Sequence, residues 1–186
     1  MRPSRQTTFL LLLSLAALSV LPGATAGDAT LRNEPVRQWE IVHQQKSTRH
    51  VLNEDTGKMV AVEGIETISV PVVTANEPEA RAGCSKNEFL GEPYVYWSGG
   101  AHAASYASVS LSSGCTGYVY WTHYLERRNM LNVWVKANYT TEWTDPGETD
   151  SHTLMWTCAT TNTDDWRARW TEVPTTTSVK YLSCSN

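Results

Sequence analysis

The sequence predicts an all-β fold: an antiparallel β-sandwich or small barrel stapled by two disulfides, preceded by a signal peptide and an N-terminal arm. Three observations predict it. Apolar and polar side chains alternate with period two through residues 117–143, the spacing of strands with one covered face. Turn-forming residues separate short apolar runs across residues 84–186, as in sandwiches and barrels. No stretch of that segment sustains the 3.6-residue apolar period of an amphipathic helix.

Residues 1–26 read as a secretory signal peptide. Arg2 and Arg5 give a basic start, residues 9–21 form an apolar run, and Pro22-Gly23 breaks it before the small residues Ala24-Thr25-Ala26. The run is shorter than the roughly 18–20 apolar residues of a spanning helix. The protein is therefore expected to be secreted and extracellular, with no stable membrane insertion. The leader takes two of the 15 basic residues and none of the 19 acidic ones, leaving 13 against 19, a net charge of −6. That balance argues against nucleic acid and against an anionic membrane surface as partners, both of which need clustered Lys and Arg.

Residues 27–83 read as an N-terminal arm or pro-region with a possible β-hairpin; the competing reading is that they supply edge strands to the main domain. Residues 36–43 suit a strand or short helix. Residues 50–52 and 59–62 flank Asp55-Thr56-Gly57, whose residues tolerate left-handed dihedrals, so a hairpin is expected there. Pro71 lies inside the β-branched run 65–73 and removes a ladder donor, which makes that run at most an edge strand. The polar residues 76–83 read as a linker. The segment holds one of the eight tryptophans and none of the eight tyrosines.

Residues 84–186 carry all four cysteines and read as the disulfide-bonded domain. In an oxidising compartment an even number implies two bridges. Pairing Cys84 with Cys115 and Cys158 with Cys184 closes two moderate loops, each worth about 3–4 kcal/mol of chain entropy. Zinc does not fit, because no C-x-x-C or nearby histidine pair is present.

Strands are expected over residues 93–97, ended by Ser98-Gly99-Gly100, and over 105–112, ended by Ser113-Gly114-Cys115. The stretch 117–143 then reads as one long hairpin, with its turn near Arg127-Arg128-Asn129. Tyr118, Tyr120, Thr122 and Tyr124 share one face of its first strand; Val119, Trp121, His123 and Leu125 share the other. In its second strand Val133 and Val135 are expected inside and Trp134 outside. Asp145-Pro146-Gly147-Glu148 suits a type II turn. Residues 153–158 return, Asp164-Asp165 marks a turn, and residues 166–173 and 178–184 form the last pair.

The functional signal is the excess of tryptophan and tyrosine, more than a small core readily buries. Trp166-Arg167-Ala168-Arg169-Trp170 places two tryptophans on one strand face and two arginines on the other. The tryptophans lie about 13–14 Å apart, with small Ala168 between them. Trp134, Trp166 and Trp170 would form a platform and Arg167 and Arg169 would meet a carboxylate or phosphate. The expected function is a non-catalytic interaction module for a glycan, a cell-envelope polymer or an extracellular protein. Two alternatives are a small hydrolase or toxin, using His102 or an acid–base pair of His123 with Glu126, and an enzyme inhibitor presenting residues 99–104. No P-loop, H-E-x-x-H or EF-hand pattern occurs, so no cofactor or metal is expected; the acidic loops around Asp145, Glu148 and Asp150 and at Asp164-Asp165 read as turns, a shared calcium site being the alternative. Asn138-Tyr139-Thr140 matches the N-glycosylation pattern.

Overall fold

The computed structural model describes residues 38–72, 83–158, 163–171 and 175–183. Among them are ten strands and no helix, all pairings being antiparallel. The larger sheet contains β1 (Trp39–Asn53), β2 (Lys58–Pro71), β3 (Lys86–Gly91), β4 (Tyr94–Trp97), β5 (Ala101–Leu111) and β8 (Thr149–Thr157). Its order is β1-β2-β3-β5-β4, and β8 also pairs with β5. The smaller sheet contains β6 (Val119–Arg128), β7 (Trp134–Thr144), β9 (Thr163–Trp170) and β10 (Lys180–Ser183), in the order β10-β9-β6-β7.

The larger sheet curls into a half-barrel. Gly64 of β2 sits opposite Gly91 of β3. A Cβ on Gly64 would lie 2.5 Å from the Leu90 carbonyl oxygen and 2.6 Å from the Phe89 ring. Only glycine permits that approach of one backbone to the next.

The core lies between the two sheets. Leu90, Val109 and Leu111 of the larger sheet meet Val119, Trp121 and Trp170 of the smaller. A second cluster joins Ala103 and Leu154 to Leu125 and Trp166. Lys180 Nζ of β10 reaches across to the carboxylates of Glu92 (2.6 Å) and Glu63 (3.2 Å). Asn138 Nδ2 of β7 donates to the Met155 carbonyl of β8 at 2.9 Å. These bonds tie the sheets together at two places.

Residues 39–71 are not a separate arm. The expected hairpin is present, with Gly57 at φ 64° in its turn. However, β2 goes on to pair with β3 and is an interior strand of the larger sheet. Pro71 closes its end and removes no interior ladder bond. The hydrophilic β1 is the edge strand, held through its backbone, and most of its side chains are exposed.

Cys84 and Cys115 form the first expected disulfide, with Cα atoms 4.5 Å apart. The second expected pair reaches Cys184, outside the described residues, as do the leader 1–26 and the linker 76–82. The turn at Asp145–Glu148 forms as read, with Gly147 at φ 84° and the Glu148 amide donating to the Asp145 carbonyl. One reading fails here and one strand was not anticipated. Asp164 and Asp165 begin β9 instead of making a turn. Strand β3 had no sequence signature, because its Lys86 and Glu88 are polar yet completely buried as an ion pair of 2.9 Å in the main core.

Candidate binding face

The site is built from the long hairpin. Strand β6 alternates as expected: Val119, Trp121, His123 and Leu125 are buried, while Tyr120 is 52% exposed. The turn lies a few residues later than expected, closed by hydrogen bonds between Asn129 and Val133. Val133 is consequently exposed, contrary to expectation, because it belongs to that turn and has no covered face.

The hairpin also carries a bulge. The register passes from Leu125 opposite Asn138 to Glu126 opposite Lys136. Strand β7 thus uses one more residue, Ala137, than β6 does, and its faces exchange at that point. On one side of the bulge Tyr139, Thr141 and Trp143 pair with Tyr124, Thr122 and Tyr120. On the other, Trp134 and Lys136 pair with Arg128 and Glu126. All of these side chains therefore occupy the outer face of the smaller sheet. Arg167 and Arg169 of β9 join them, opposite Glu126 and Tyr124.

This outer face is an ordered array of cations and rings. The Arg167 guanidinium carbon lies 4.2 Å from the Trp134 ring centre and that of Arg128 lies 5.6 Å away. Arg169 stacks on Tyr124 at 4.5 Å. Lys136 lies 5.0 Å from Tyr139 and 5.5 Å from Tyr124, and the two tyrosines stack on each other at 5.8 Å. Glu126 accepts from both Arg167 Nε (2.7 Å) and Arg169 Nε (3.2 Å). One carboxylate thus aligns two guanidinium groups, and each guanidinium covers one ring. Tyr120, Tyr139 and Trp143 keep exposed ring surface.

Trp134, Arg167 and Arg169, named from sequence, are brought together here. Trp166 and Trp170 are not. Each is 1% exposed, because the smaller sheet covers its inner face with the larger one. The expected alternation is correct, with Trp166, Ala168 and Trp170 on one side and the arginines on the other, but the tryptophan side is the core. They form no platform. Arg128, Tyr124, Tyr139, Lys136 and Glu126 were not singled out as binding residues. They converge through cross-strand register, which a single strand's pattern does not reveal.

The histidine readings also resolve. His123 and Glu126 do not pair: His123 points into the core and Glu126 holds the two arginines. Ser105 Oγ donates to the Gly91 carbonyl (2.8 Å), so it accepts from His123 Nε2 (3.0 Å). His123 Nδ1 then accepts from His152 Nε2 (3.0 Å), which fixes both tautomers. His152 lies flat against Trp121 at 4.8 Å. Burial holds His123 well below the usual histidine range, with the neighbouring His152 adding to the effect, and burial alone lowers His152 to about 4. Ser105 is completely buried, and the chain ends in a backbone carbonyl without a carboxylate. His102 Nε2 lies 2.9 Å from the Ser98 carbonyl and ties the adjacent turn.

Residues 101–104 are paired within β5 and do not project as an inhibitory loop. Asp164 and Asp165 pair with Arg127 and Arg128. No group of three or more His, Cys, Asp or Glu side chains among the described residues is placed to hold a metal ion. Asn138 is half-buried with its amide nitrogen bonded to Met155. A cleft of about 640 Å³, lined by His50, Asp55, Tyr96, Tyr106 and Thr153 among others, opens on the larger sheet; sequence patterning did not single it out. No protein-family model, curated protein or solved structure matches this chain.

Proposed function

We propose that this protein is a secreted, non-catalytic binding module whose ligand lies along the outer face of the smaller sheet. The ligand class is an extended glycan or cell-envelope polymer, with an extracellular protein as the remaining possibility. One observation carries the reading: Tyr120, Tyr124, Trp134, Tyr139 and Trp143 share one solvent-facing sheet surface with Arg128, Lys136, Arg167 and Arg169. From Tyr120 to Arg128 the face runs about 27 Å, long enough for several sugar rings. Guanidinium groups already cover Trp134 and Tyr124. Tyr139 has Lys136 and Tyr124 against its ring yet stays 57% exposed, so ring stacking belongs to Tyr120, Trp143 and the open part of Tyr139, and the arginines supply hydrogen bonds to acidic or hydroxyl groups. Export by residues 1–26 and a second bridge between Cys158 and Cys184 belong to the same proposal, and the oxidised Cys84–Cys115 pair supports an oxidising compartment.

Pull-down on insoluble and soluble polysaccharides, with a glycan array beside it, tests the reading. Tyr120→Ala with Trp143→Ala, and Tyr139→Ala separately, should each lower retention, by about 1–3 kcal/mol per stacking ring if it matches other aromatic platforms. Unchanged retention in both variants sinks it. Trp166→Ala and Trp170→Ala are unsuitable probes, since they hollow out the core.

A further inference from the structure

The hairpin tip between β6 and β7 is apolar and fully presented to solvent. Met130 is completely exposed, Leu131 is 81% exposed and Val133 is 55% exposed. This exposure is constructed. Asn129 Oδ1 accepts from the amides of Leu131 and Val133, both at 3.0 Å. The Asn129 amide donates to the Val133 carbonyl and the Asn132 amide to the Asn129 carbonyl, both at 2.9 Å. Asn132 takes the left-handed conformation at φ 64°, which asparagine tolerates better than most residues. These four hydrogen bonds brace the turn, and its aliphatic side chains project from the apex.

We propose that this apex docks reversibly into the surface of a phospholipid bilayer. The argument is the order of chemistry with distance from the tip. Aliphatic side chains come first. Trp134 follows immediately after Val133 as the first residue of β7, with the Arg128 guanidinium over its ring at 5.6 Å, and Arg127 on the other face of β6 lies over Trp156 at 5.7 Å. Arg127 and Arg128 flank the same level. Aliphatic groups deepest, tryptophan at the headgroup boundary and arginine at the phosphates is the gradient a bilayer surface rewards. A protein hot spot has another shape, with aromatic and arginine anchors central and a polar rim around them.

Charge agrees with lipid. Arg127, Arg128, Lys136, Arg167 and Arg169 face Glu126, Asp164 and Asp165 at this end of the sheet, five cations against three carboxylates. The whole chain carries −4, so the basic surplus is local. The Arg127–Asp164 and Arg128–Asp165 pairs are long, at 3.8 and 3.4 Å, and partly exposed, which leaves both guanidinium groups able to exchange a carboxylate for a lipid phosphate. The proposal does not rest on polymer binding at the outer face.

Co-sedimentation of the exported chain with vesicles tests it, using phosphatidylcholine alone and phosphatidylcholine mixed with phosphatidylserine. The wild type should sediment with the mixed vesicles, and tryptophan emission should shift to the blue. Met130→Ser with Leu131→Ser should lower partitioning on the order of a hundredfold, from the apolar area no longer buried. Arg127→Gln with Arg128→Gln should reduce the preference for phosphatidylserine roughly fivefold per residue. Tyr120→Ala with Trp143→Ala should sediment like the wild type, which separates failure of this proposal from failure of the polymer reading. Two results overturn it: wild-type protein that sediments with neither vesicle, marking the apex as a protein-docking element, or a tip variant that sediments as well as the wild type.

Discussion

Replacing His152 by glutamine should flatten the protein's response to acid. In the folded chain burial lowers this imidazole to about 4, against about 6.5 in an unfolded chain. The sign follows from which state takes up the proton. Above about pH 6.5 both states hold a neutral ring and His152 adds no pH dependence. Below it the unfolded chain binds a proton that the folded chain refuses, so stability falls with falling pH. The loss is about 1.4 kcal/mol per pH unit and accumulates to about 3 kcal/mol by the time the folded imidazole itself titrates. Glutamine keeps an Nε2 donor for His123 Nδ1 but cannot titrate. Urea unfolding of both proteins, followed by tryptophan fluorescence between about pH 7 and pH 4, gives two stability curves. Their difference cancels the background of other groups, including Glu88, which burial raises, against the pull of Lys86. His123 stays in both proteins and contributes a slope of the same sign. The separation of the curves should change by about 3 kcal/mol across the range, in favour of the variant at low pH. Parallel curves would refute the reasoning, since they would mean that folded His152 takes up protons as readily as it does in the unfolded chain.

Two further outcomes test the core. Lys86→Met should leave the Glu88 carboxylate buried without its cation and cost roughly 3–5 kcal/mol in chemical denaturation, whereas Lys86→Met combined with Glu88→Leu should recover most of that loss. Replacing Cys84 and Cys115 together by alanine should cost about 3–4 kcal/mol for a bridge spanning 31 residues; an unchanged denaturation midpoint would mean that the unfolded chain is already constrained there.

Much of the architecture is legible in the chain because period two and turn chemistry are local. The faces of β6, the hairpin turn before Lys58 and the turn at Gly147 all follow from residues close in sequence, and the Cys84–Cys115 pair follows from cysteine count and loop length. Strand β3 is illegible for the opposite reason. Lys86 and Glu88 are charged residue types usually found at the surface, and their mutual ion pair, with the Trp39 ring over Lys86, lets them occupy a core position. Strand β1 looks like an arm because an edge strand can be held by backbone bonds while its side chains stay polar. The two tryptophans of β9 mislead because the residue type suits both roles. Trp fills cores and presents surfaces equally well, and strand alternation says which residues share a face without saying which face is covered. Arg167 and Arg169 point outward because Trp166 and Trp170 point inward, so the site is half predicted by the same pattern that misplaced its other half.

The bulge in the long hairpin explains how the outer face acquires its composition. In a regular β7, Trp134 and Lys136 would alternate with Tyr139 and Trp143 and could not share a surface with them, since the first pair is even-numbered and the second odd-numbered. The register step at Ala137 exchanges the parity. Ala137 packs inward against the Leu125–Trp166 cluster. Beyond it, Lys136 covers Tyr139 and Tyr124, so the two halves of the strand become one continuous surface. Glu126, the residue just past the step on β6, is the carboxylate that holds both Arg167 and Arg169. One added residue therefore brings Trp134 and Lys136 onto the surface that Tyr139 and Trp143 share with Glu126, Arg167 and Arg169. Bulges that re-aim side chains in this way are over-represented next to active sites, which makes the outer face of the smaller sheet a better candidate than any tryptophan pair read from sequence spacing alone.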